Sequence, residues 1–283
     1  MRAWHRRGRF GAAHERIDCI MAADLLTTPT MAKRTKVAGG KKSRAPKTAY
    51  QRVLLKISGE GMGRRDELGI DGETVRRIAS EIISVRALNV DVAVVVGGGN
   101  FIRGTTLASK ARIQEATAHY MGMLATVINA LALQDVLEDL GQPTRVQSSI
   151  AIHSACENFI RRRCIRHLEK GRVVILAAGT GRPFVTTDTA AALAAVEIGA
   201  DILFKATKVD GVYTADPVKD KKAKFLSKLS YNQVIDDRLQ VMDVSAVDMC
   251  QRHGVPIKVF NLMTPGNMKK VVQGQNIGTL ISD

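Results

Sequence analysis

The chain has 283 residues, of which 45% are hydrophobic and 24% are charged. This length suits one large α/β domain or two smaller domains, and the composition excludes a chain that is disordered throughout. No uninterrupted apolar run approaches the roughly 18 residues that a membrane span needs, so we expect no transmembrane segment.

The net charge of +15 is concentrated near the N-terminus. Residues 1–50 hold 12 Lys or Arg against three acidic residues, which leaves 30 of the 42 basic and 24 of the 27 acidic residues for the rest. Only 4% of the residues are aromatic, and single-stranded nucleic-acid binders need aromatic side chains on which bases stack. We therefore expect no nucleic-acid binding, except through the basic tail.

Residues 1–48 lack a sustained apolar period and are interpreted as a basic, disordered extension that precedes a folded domain at 49–283. Initiation at Met21 or Met31, or an organelle transit peptide, would also explain this segment.

The four cysteines (Cys19, Cys156, Cys164 and Cys250) have neither the spacing of a zinc site nor that of a redox motif. Reduced thiols indicate a cytoplasmic protein.

After Tyr50, short β-branched runs alternate with helical patterns, which predicts a parallel sheet with crossover helices. Asp71 is the predicted cap of the first helix. In chain order, strands are predicted at 53–55, 92–96, 144–147, 173–177, 201–204, 257–260 and 279–282. The later helices are predicted at 113–140, 159–170, 188–198, 244–252 and 266–271. The sum is a large α/β sandwich.

Three glycine-rich loops follow predicted strands, at 56–61, 97–104 and 179–188. Open parallel sheets bind ligands at the carboxyl ends of their strands, and backbone N–H groups in such loops bind anions. Neither the P-loop nor the Rossmann fingerprint is present. Each loop alone would be explained by a tight turn. Together with Lys56 and Arg103, which suit phosphate groups, the three loops predict phosphate handling.

A fourth polar cluster, residues 205–217, follows the predicted strand 201–204. Its Asp-Gly and Asp-Pro pairs are also typical of a surface hairpin. However, the segment also contains cations, carboxylates that can reach a sugar hydroxyl or Mg²⁺, and the aromatic ring of Tyr213, which can lie beside a base or ribose. These are the side chains that a nucleotide site uses.

Five segments occur in a recognisable order: 56–60, 97–104, Met121–Thr126, 179–188 and 205–217. Through them the chain from about Gln51 to Asp283 closely resembles the bacterial uridylate (UMP) kinases of the amino acid kinase superfamily. The resemblance implies a three-layer αβα sandwich with a central, mainly parallel sheet, assembled as a homohexamer without a membrane partner. It implies transfer of the γ-phosphate of ATP to UMP with Mg²⁺, in pyrimidine nucleotide biosynthesis, under allosteric control whose effectors the residues do not identify.

The resemblance also carries over site residues. The ATP contacts are Lys56, Ile57, Ser58, Gly59, Gly99, Arg103, Thr207, Tyr213 and Asp216. The UMP contacts are Gly98, His119, Thr180, Gly181, Arg182, Pro183, Phe184, Val185, Thr186 and Thr187. The residues around the reacting phosphates are Lys56, Arg103, Asp188 and Lys205. His119 stands where the family commonly has Asp. Two roles for His119 therefore remain open: a contact with the ribose of UMP, or a helix histidine that faces solvent.

A phosphate monoester acceptor has a second pKa of about 6, so near pH 7 it is already a nucleophile and needs no strong general base. Cations must instead overcome the repulsion between two polyanions. We predict that Lys56 and Arg103 neutralise the transferred group, and that Asp188 positions Lys56 or a Mg²⁺-bound water. The alternative role for Asp188 is that of a simple helix N-cap, and the residues do not identify direct Mg²⁺ ligands.

Two other functions remain open from the residues. The first keeps the fold and changes the acceptor to a carboxylate, as in aspartate or acetylglutamate kinases, or to carbamate. The second is a nucleic-acid-binding or regulatory protein that uses the basic tail.

Overall fold

A computed structural model describes residues 48–64, 67–102, 113–215, 217, 220 and 222–283. Residues 1–47 lie outside the described residues, so the disordered extension and the reduced thiol of Cys19 stay predictions. The first half contains β1 (Arg52–Ile57), a 3₁₀ turn (Gly59–Gly61), α1 (Gly72–Arg86), β2 (Asp91–Val96), α2 (Glu115–Asp139), β3 (Thr144–Ser148), β4 (Glu157–Asn158), α3 (Arg161–Glu169) and β5 (Val173–Ala177). The second half contains α4 (Thr187–Ile198), β6 (Ile202–Thr207), β7 (Val212–Tyr213), β8 (Phe225–Leu226), β9 (Lys228–Leu229), α5 (Tyr231–Asp236), α6 (Val244–Arg252), β10 (Ile257–Asn261), α7 (Asn267–Val272) and β11 (Thr279–Ile281).

The described strands form a nine-stranded sheet in the order β4-β3-β5-β2-β1-β6-β10-β11-β9, and β7 pairs with β8 separately. Every pairing in the large sheet is parallel except that of β10 with β11. The carboxyl ends of β5, β2, β1 and β6 therefore meet at one edge, where the glycine-rich loops begin.

Two apolar cores lie on opposite faces of the sheet because successive strand residues point to opposite sides. Val53 and Leu55 of β1 pack with α1, α2 and α7, whereas Leu54 packs with α3, α4, α5 and α6. These three layers confirm the predicted αβα sandwich with a mainly parallel sheet.

Helix α2 has a length and composition that would allow it to cross a membrane. Its polar residues interrupt the apolar ones, so it contains no long uninterrupted apolar run. Among its buried residues, Leu133 and Leu137 are fully inaccessible and belong to the core shared with α1. A core helix that packs against a sheet meets the same criteria, and this packing is what the structure shows for α2.

Three predicted boundaries were wrong in ways that matter for the site. Strand β1 extends to Ile57, so Lys56 lies on the strand and not in the loop that follows it. Strand β6 extends to Thr207, so Lys205 lies on the strand and not in the loop that follows it. Helix α4 is capped by Thr186, whose hydroxyl accepts hydrogen bonds from the N–H groups of Asp188 and Thr189. Asp188 is therefore not the cap, and its carboxylate is free for other contacts. The predicted cap of α1 is confirmed, because Asp71 accepts from Thr74 N–H at 3.0 Å.

Candidate active site

A cluster of two lysines and one aspartate lies at the carboxyl edge of the sheet. Lys56 of β1 and Lys205 of β6 are register partners on adjacent parallel strands. Asp188, in the first turn of α4, accepts from Lys56 Nζ at 2.6 Å and from Lys205 Nζ at 2.7 Å on each carboxylate oxygen. Lys56 is only 5% exposed, and the structure thus brings together three of the four residues expected around the reacting phosphates.

The electrostatics of this cluster favour an additional anion. Burial by itself raises the pKa of Asp188, but the charges of Lys56 and Lys205 outweigh it and hold that pKa below its ordinary value. Burial and the neighbouring charge of Lys56 lower the pKa of Lys205 to about 8, although Asp188 opposes the shift. At pH 7 the cluster therefore carries one net positive charge in a largely buried place. Such a charge is costly unless a ligand anion balances it.

Two glycine turns interlock beside the cluster. A Cβ atom on Gly59 would lie 2.3 Å from the backbone nitrogen of Gly99, and one on Gly97 would lie 2.7 Å from that of Gly59. Both distances are shorter than any real contact, so the close approach of the backbones requires glycine. Both turns begin at the carboxyl ends of β1 and β2, next to the strand that carries Lys56, and glycine-rich turns at such places are typical of phosphate sites.

A buried pair of asparagines holds the second turn. Asn129 of α2 donates to Gly97 O at 2.7 Å and to Asn100 Oδ1 at 2.7 Å. Asn100 donates in return to Asn129 Oδ1 at 2.9 Å and to Gly69 O at 2.8 Å. The sequence analysis missed this pair. Its only signal was a polar residue on the core side of an apolar helix.

A cavity of about 200 Å³ opens between the Gly97–Asn100 turn, α2 and the loop after β5. The predicted UMP contacts that line it are Gly98, His119, Thr180, Arg182, Val185 and Thr187. Thr180 Oγ1 is buried and has no hydrogen-bond partner among the described residues. An unpartnered buried hydroxyl is costly, and a polar ligand in this cavity would satisfy it.

His119 lies at the wall of this cavity. Its ring packs on Phe184, with ring centroids 5.1 Å apart, and its Nε2 is 3.7 Å from a carboxylate oxygen of Glu115. The side chain is 26% exposed, which does not match a histidine that simply faces solvent. Phe184 itself is exposed and has a positive φ of 66°.

The end of the loop is anchored by Asp243, a residue that the sequence analysis did not single out. Its carboxylate accepts from the hydroxyls of Thr186 and Thr189, and from Ala246 N–H at the start of α6. Asp243 thereby joins the cap of α4 to the cap of α6. An Asp just before a helix indicates a cap, but only the fold reveals the contact with α4.

Of the remaining predicted ATP contacts, Thr207 and Tyr213 lie in the segment that runs from the end of β6 to β7. Thr207 ends β6, and its hydroxyl is 2.6 Å from Val209 O. Tyr213 lies in the β7–β8 hairpin, so the alternative reading of that segment as a hairpin is correct for part of it. Arg103 and Asp216 lie outside the described residues. Within the described ranges, no group of three or more His, Cys, Asp or Glu side chains could hold a metal ion.

Comparisons with known proteins agree with this geometry. Residues 51–261 match the model of the amino acid kinase family. The uridylate kinase of Methylococcus capsulatus is 52% identical over 232 residues, which are 82% of this chain and 97% of that protein. The uridylate kinase of Paramagnetospirillum magneticum is 57% identical over 234 residues, 83% of this chain and 97% of that protein.

Solved structures give the same result. The UMP kinase of Bacillus anthracis superposes with a TM-score of 0.80 at 39% identity, over 83% of this chain and 96% of that one. The UMP kinase of Ureaplasma parvum superposes with a TM-score of 0.77 at 33% identity, over 82% and 99% of the two chains. With its sheet, its glycine turns and these matches over most of its length, the chain belongs to the amino acid kinase family.

Proposed function

We propose that this protein is a UMP kinase, which transfers the γ-phosphate of ATP to UMP and releases ADP and UDP. The observation that carries the proposal is the buried cluster of Lys56, Asp188 and Lys205, with its excess positive charge between two glycine-rich surfaces. The names of the relatives, all uridylate or UMP kinases at 31 to 57% identity, support UMP as the acceptor.

The cavity beside α2 is the proposed acceptor site. The turn at Gly98 and the unpartnered hydroxyl of Thr180 suit a phosphate or a sugar hydroxyl, and His119 is placed to meet the ribose. The loop 180–187 supplies the remaining UMP contacts. The proposed ATP contacts are residues 56–59, Gly99, Thr207 and Tyr213, and the family resemblance adds Arg103 and Asp216.

The chemistry requires cations more than it requires a base. UMP is largely a dianion at neutral pH, so the main barrier is the approach of two polyanions. Lys56 lies beside the glycine turns, and its ammonium neutralises the transferred phosphoryl group. Asp188 holds Lys56 and Lys205 in one geometry before substrate arrives, and such preorganisation removes the cost of reorienting charges during transfer.

The proposal includes Mg²⁺, which would enter the site bound to ATP. The carboxylate of Asp188 does not fit a directly bound divalent cation, because its two oxygens already accept hydrogen bonds from ammonium groups. We therefore assign Mg²⁺ to the ATP phosphates, which supply oxygen ligands of the kind that Mg²⁺ prefers.

We also propose a homohexamer in the cytoplasm. Tyr120, Leu124 and Ile128 are 44%, 49% and 49% exposed, and their spacing along α2 places them in one apolar stripe. A stripe of this kind suits contact with a second copy of the chain.

The described cysteines, Cys156, Cys164 and Cys250, are free thiols, which supports a reducing compartment.

An assay of ADP release tests the function. The purified chain is supplied with ATP and Mg²⁺, and with UMP, CMP, aspartate or acetylglutamate as acceptor. We expect UMP to give the highest kcat/KM by at least tenfold. Dominant activity with an amino acid would move the protein to another branch of the family, and no ADP release with any acceptor would reject the kinase assignment.

The third open function, binding through the basic tail, is tested with a chain that lacks residues 1–48. Loss of DNA retention with intact kinase activity would make binding an additional role. Absence of phosphoryl transfer in both chains, with DNA retention in the longer one, would make binding the primary role.

A further inference from the structure

A buried threonine of α2 contacts the proposed acceptor site without being one of its expected ligands. Thr126 is 2% exposed and lies among apolar neighbours on the core side of the helix. Its hydroxyl donates to Met123 O at 2.6 Å in the preceding turn of the helix. The same oxygen accepts a hydrogen bond from the N–H of Ala178 at 2.7 Å, in the segment that follows β5.

Ala178 is the first of three left-handed residues in the turn after β5, and Thr180 lies among them without a positive φ. The φ of Ala178 is +63°, followed by +56° at Gly179 and +73° at Gly181. Left-handed backbone is unfavourable for a residue with a Cβ atom, so Ala178 keeps this conformation only where its surroundings enforce it. The bond from Thr126 satisfies the buried N–H of Ala178 in this conformation.

The turn that contains these left-handed residues forms one wall of the acceptor cavity. Ala178, Gly179 and Thr180 line it, as does Thr126. The other wall is equally close to Thr126, because a Cβ atom on Gly98 would lie 3.2 Å from the Thr126 backbone nitrogen. One residue of α2 thus lies close to the turn after β2 and accepts a hydrogen bond from the turn after β5.

We propose that Thr126 is a positioning residue for the acceptor: its hydroxyl holds Ala178 left-handed, so that the turn from Gly179 to Gly181 fits the acceptor phosphate. This inference rests on the proposed function and deepens it. Thr126 acts through Ala178, because both hydrogen bonds of its hydroxyl are made within the protein.

The test compares three variants in the full chain by steady-state kinetics. Thr126→Val keeps the shape and removes the hydroxyl, and we expect the KM for UMP to rise at least tenfold while the KM for ATP changes less than twofold. Thr126→Ser keeps the hydroxyl and should restore the KM for UMP to within threefold of the parent. Thr144→Val is the matched control, since Thr144 is fully buried at the start of β3 and its hydroxyl contacts only Gln142 O among the described residues.

A second variant keeps the proposal testable if Thr126→Val folds poorly. Glycine adopts positive φ readily, so Ala178→Gly in the Thr126→Val background should recover at least a third of the lost affinity for UMP, on a logarithmic scale. An unchanged KM for UMP in folded Thr126→Val, or equal rises for UMP and ATP, would overturn the positioning role. Because the parent chain is assayed in parallel, its failure to phosphorylate UMP would count against the proposed function instead.

Discussion

Lys56 and Lys205 stand opposite each other on adjacent strands and share one carboxylate, that of Asp188. A pair of ammonium groups on one carboxylate is a poor arrangement for stability, because burial is costly for each charge and one positive charge stays unbalanced. The same arrangement prepares the site for a phosphate. Stability and activity therefore depend on these residues in opposite directions, which makes their roles separable by experiment.

Replacing Lys56 with Met should abolish most of the activity without loss of stability. We expect kcat to fall about 100- to 1,000-fold, because a preorganised charge of this kind contributes about 3 to 4 kcal/mol to the transition state. The unfolding midpoint in urea should stay level or rise, since repulsion with Lys205 disappears and Met fills a similar volume. Lys258→Met is the control, because Lys258 is a buried lysine on β10, which pairs with β6 and not with β1, and it should leave kcat within threefold. A kcat within threefold of the parent for Lys56→Met would contradict its role.

Replacing Asp188 with Asn should have the opposite effect on stability. Two ammonium groups would then face each other without a counter-charge, and loss of one partner from a buried ion pair typically costs about 3 kcal/mol or more. Saturating sulfate or UMP should restore a large part of the lost stability by supplying an anion. Urea unfolding with and without these ligands measures both effects. A variant as stable as the parent would show that the carboxylate does not hold the two lysines.

The pKa of Lys205, lowered to about 8, predicts opposite pH trends for activity and stability. Above pH 8 the free enzyme loses this positive charge, so kcat/KM for UMP should fall with rising pH. Bound nucleotide anions raise the pKa of Lys205, so kcat should hold to a higher pH than kcat/KM.

The stability trend follows from proton binding. Between pH 8 and the ordinary lysine value of 10.5, the unfolded chain holds a proton on Lys205 that the folded chain lacks. The free energy of unfolding attributable to Lys205 therefore increases with pH across this window. The difference between the parent and Lys205→Met in urea unfolding at several pH values isolates this contribution. The free energy of unfolding of the parent minus that of Lys205→Met should rise with pH, and a value that falls with pH would refute the lowered pKa.

The apolar stripe of Tyr120, Leu124 and Ile128 predicts the effect of a single charge on assembly. Leu124→Glu should convert the proposed hexamer to smaller species in sedimentation velocity, because a carboxylate would have to be buried in the proposed contact between subunits. Leu68→Glu serves as the control, since Leu68 is 85% exposed elsewhere on the surface. Equal sedimentation of Leu124→Glu and the parent would place the contact elsewhere.

Much of the fold could be predicted because strand and helix patterns are local. The buried runs of β2 and β5 and the helix capped by Asp71 follow from residues that are neighbours in sequence. The end of β6 was misjudged because a lysine looks like the beginning of a loop. Lys205 stays on the strand because it pairs with Lys56 of β1, 149 positions away, and with Val259 of β10.

The site could be predicted in its residue types but not in its supports. The glycine turns could be predicted because a cluster of glycines after a strand is unusual. Lys56 could be predicted because it is a cation next to one of these clusters. Asn129, Thr126 and Asp243 look ordinary in the sequence, since each acts on a partner at least 29 residues away. Contacts of this range depend on how the layers pack, which no local pattern specifies.

Helix α2 has two sides with separate tasks. Toward the sheet, Asn129 and Thr126 hydrogen-bond to the turns after β2 and β5; on the opposite side Leu124 and its neighbours are exposed and form the proposed contact with another subunit. A helix of 25 residues is about 37 Å long, and both sets of contacts belong to this one element. In the proposed assembly, the contact between subunits and the proposed nucleotide site therefore share a single helix.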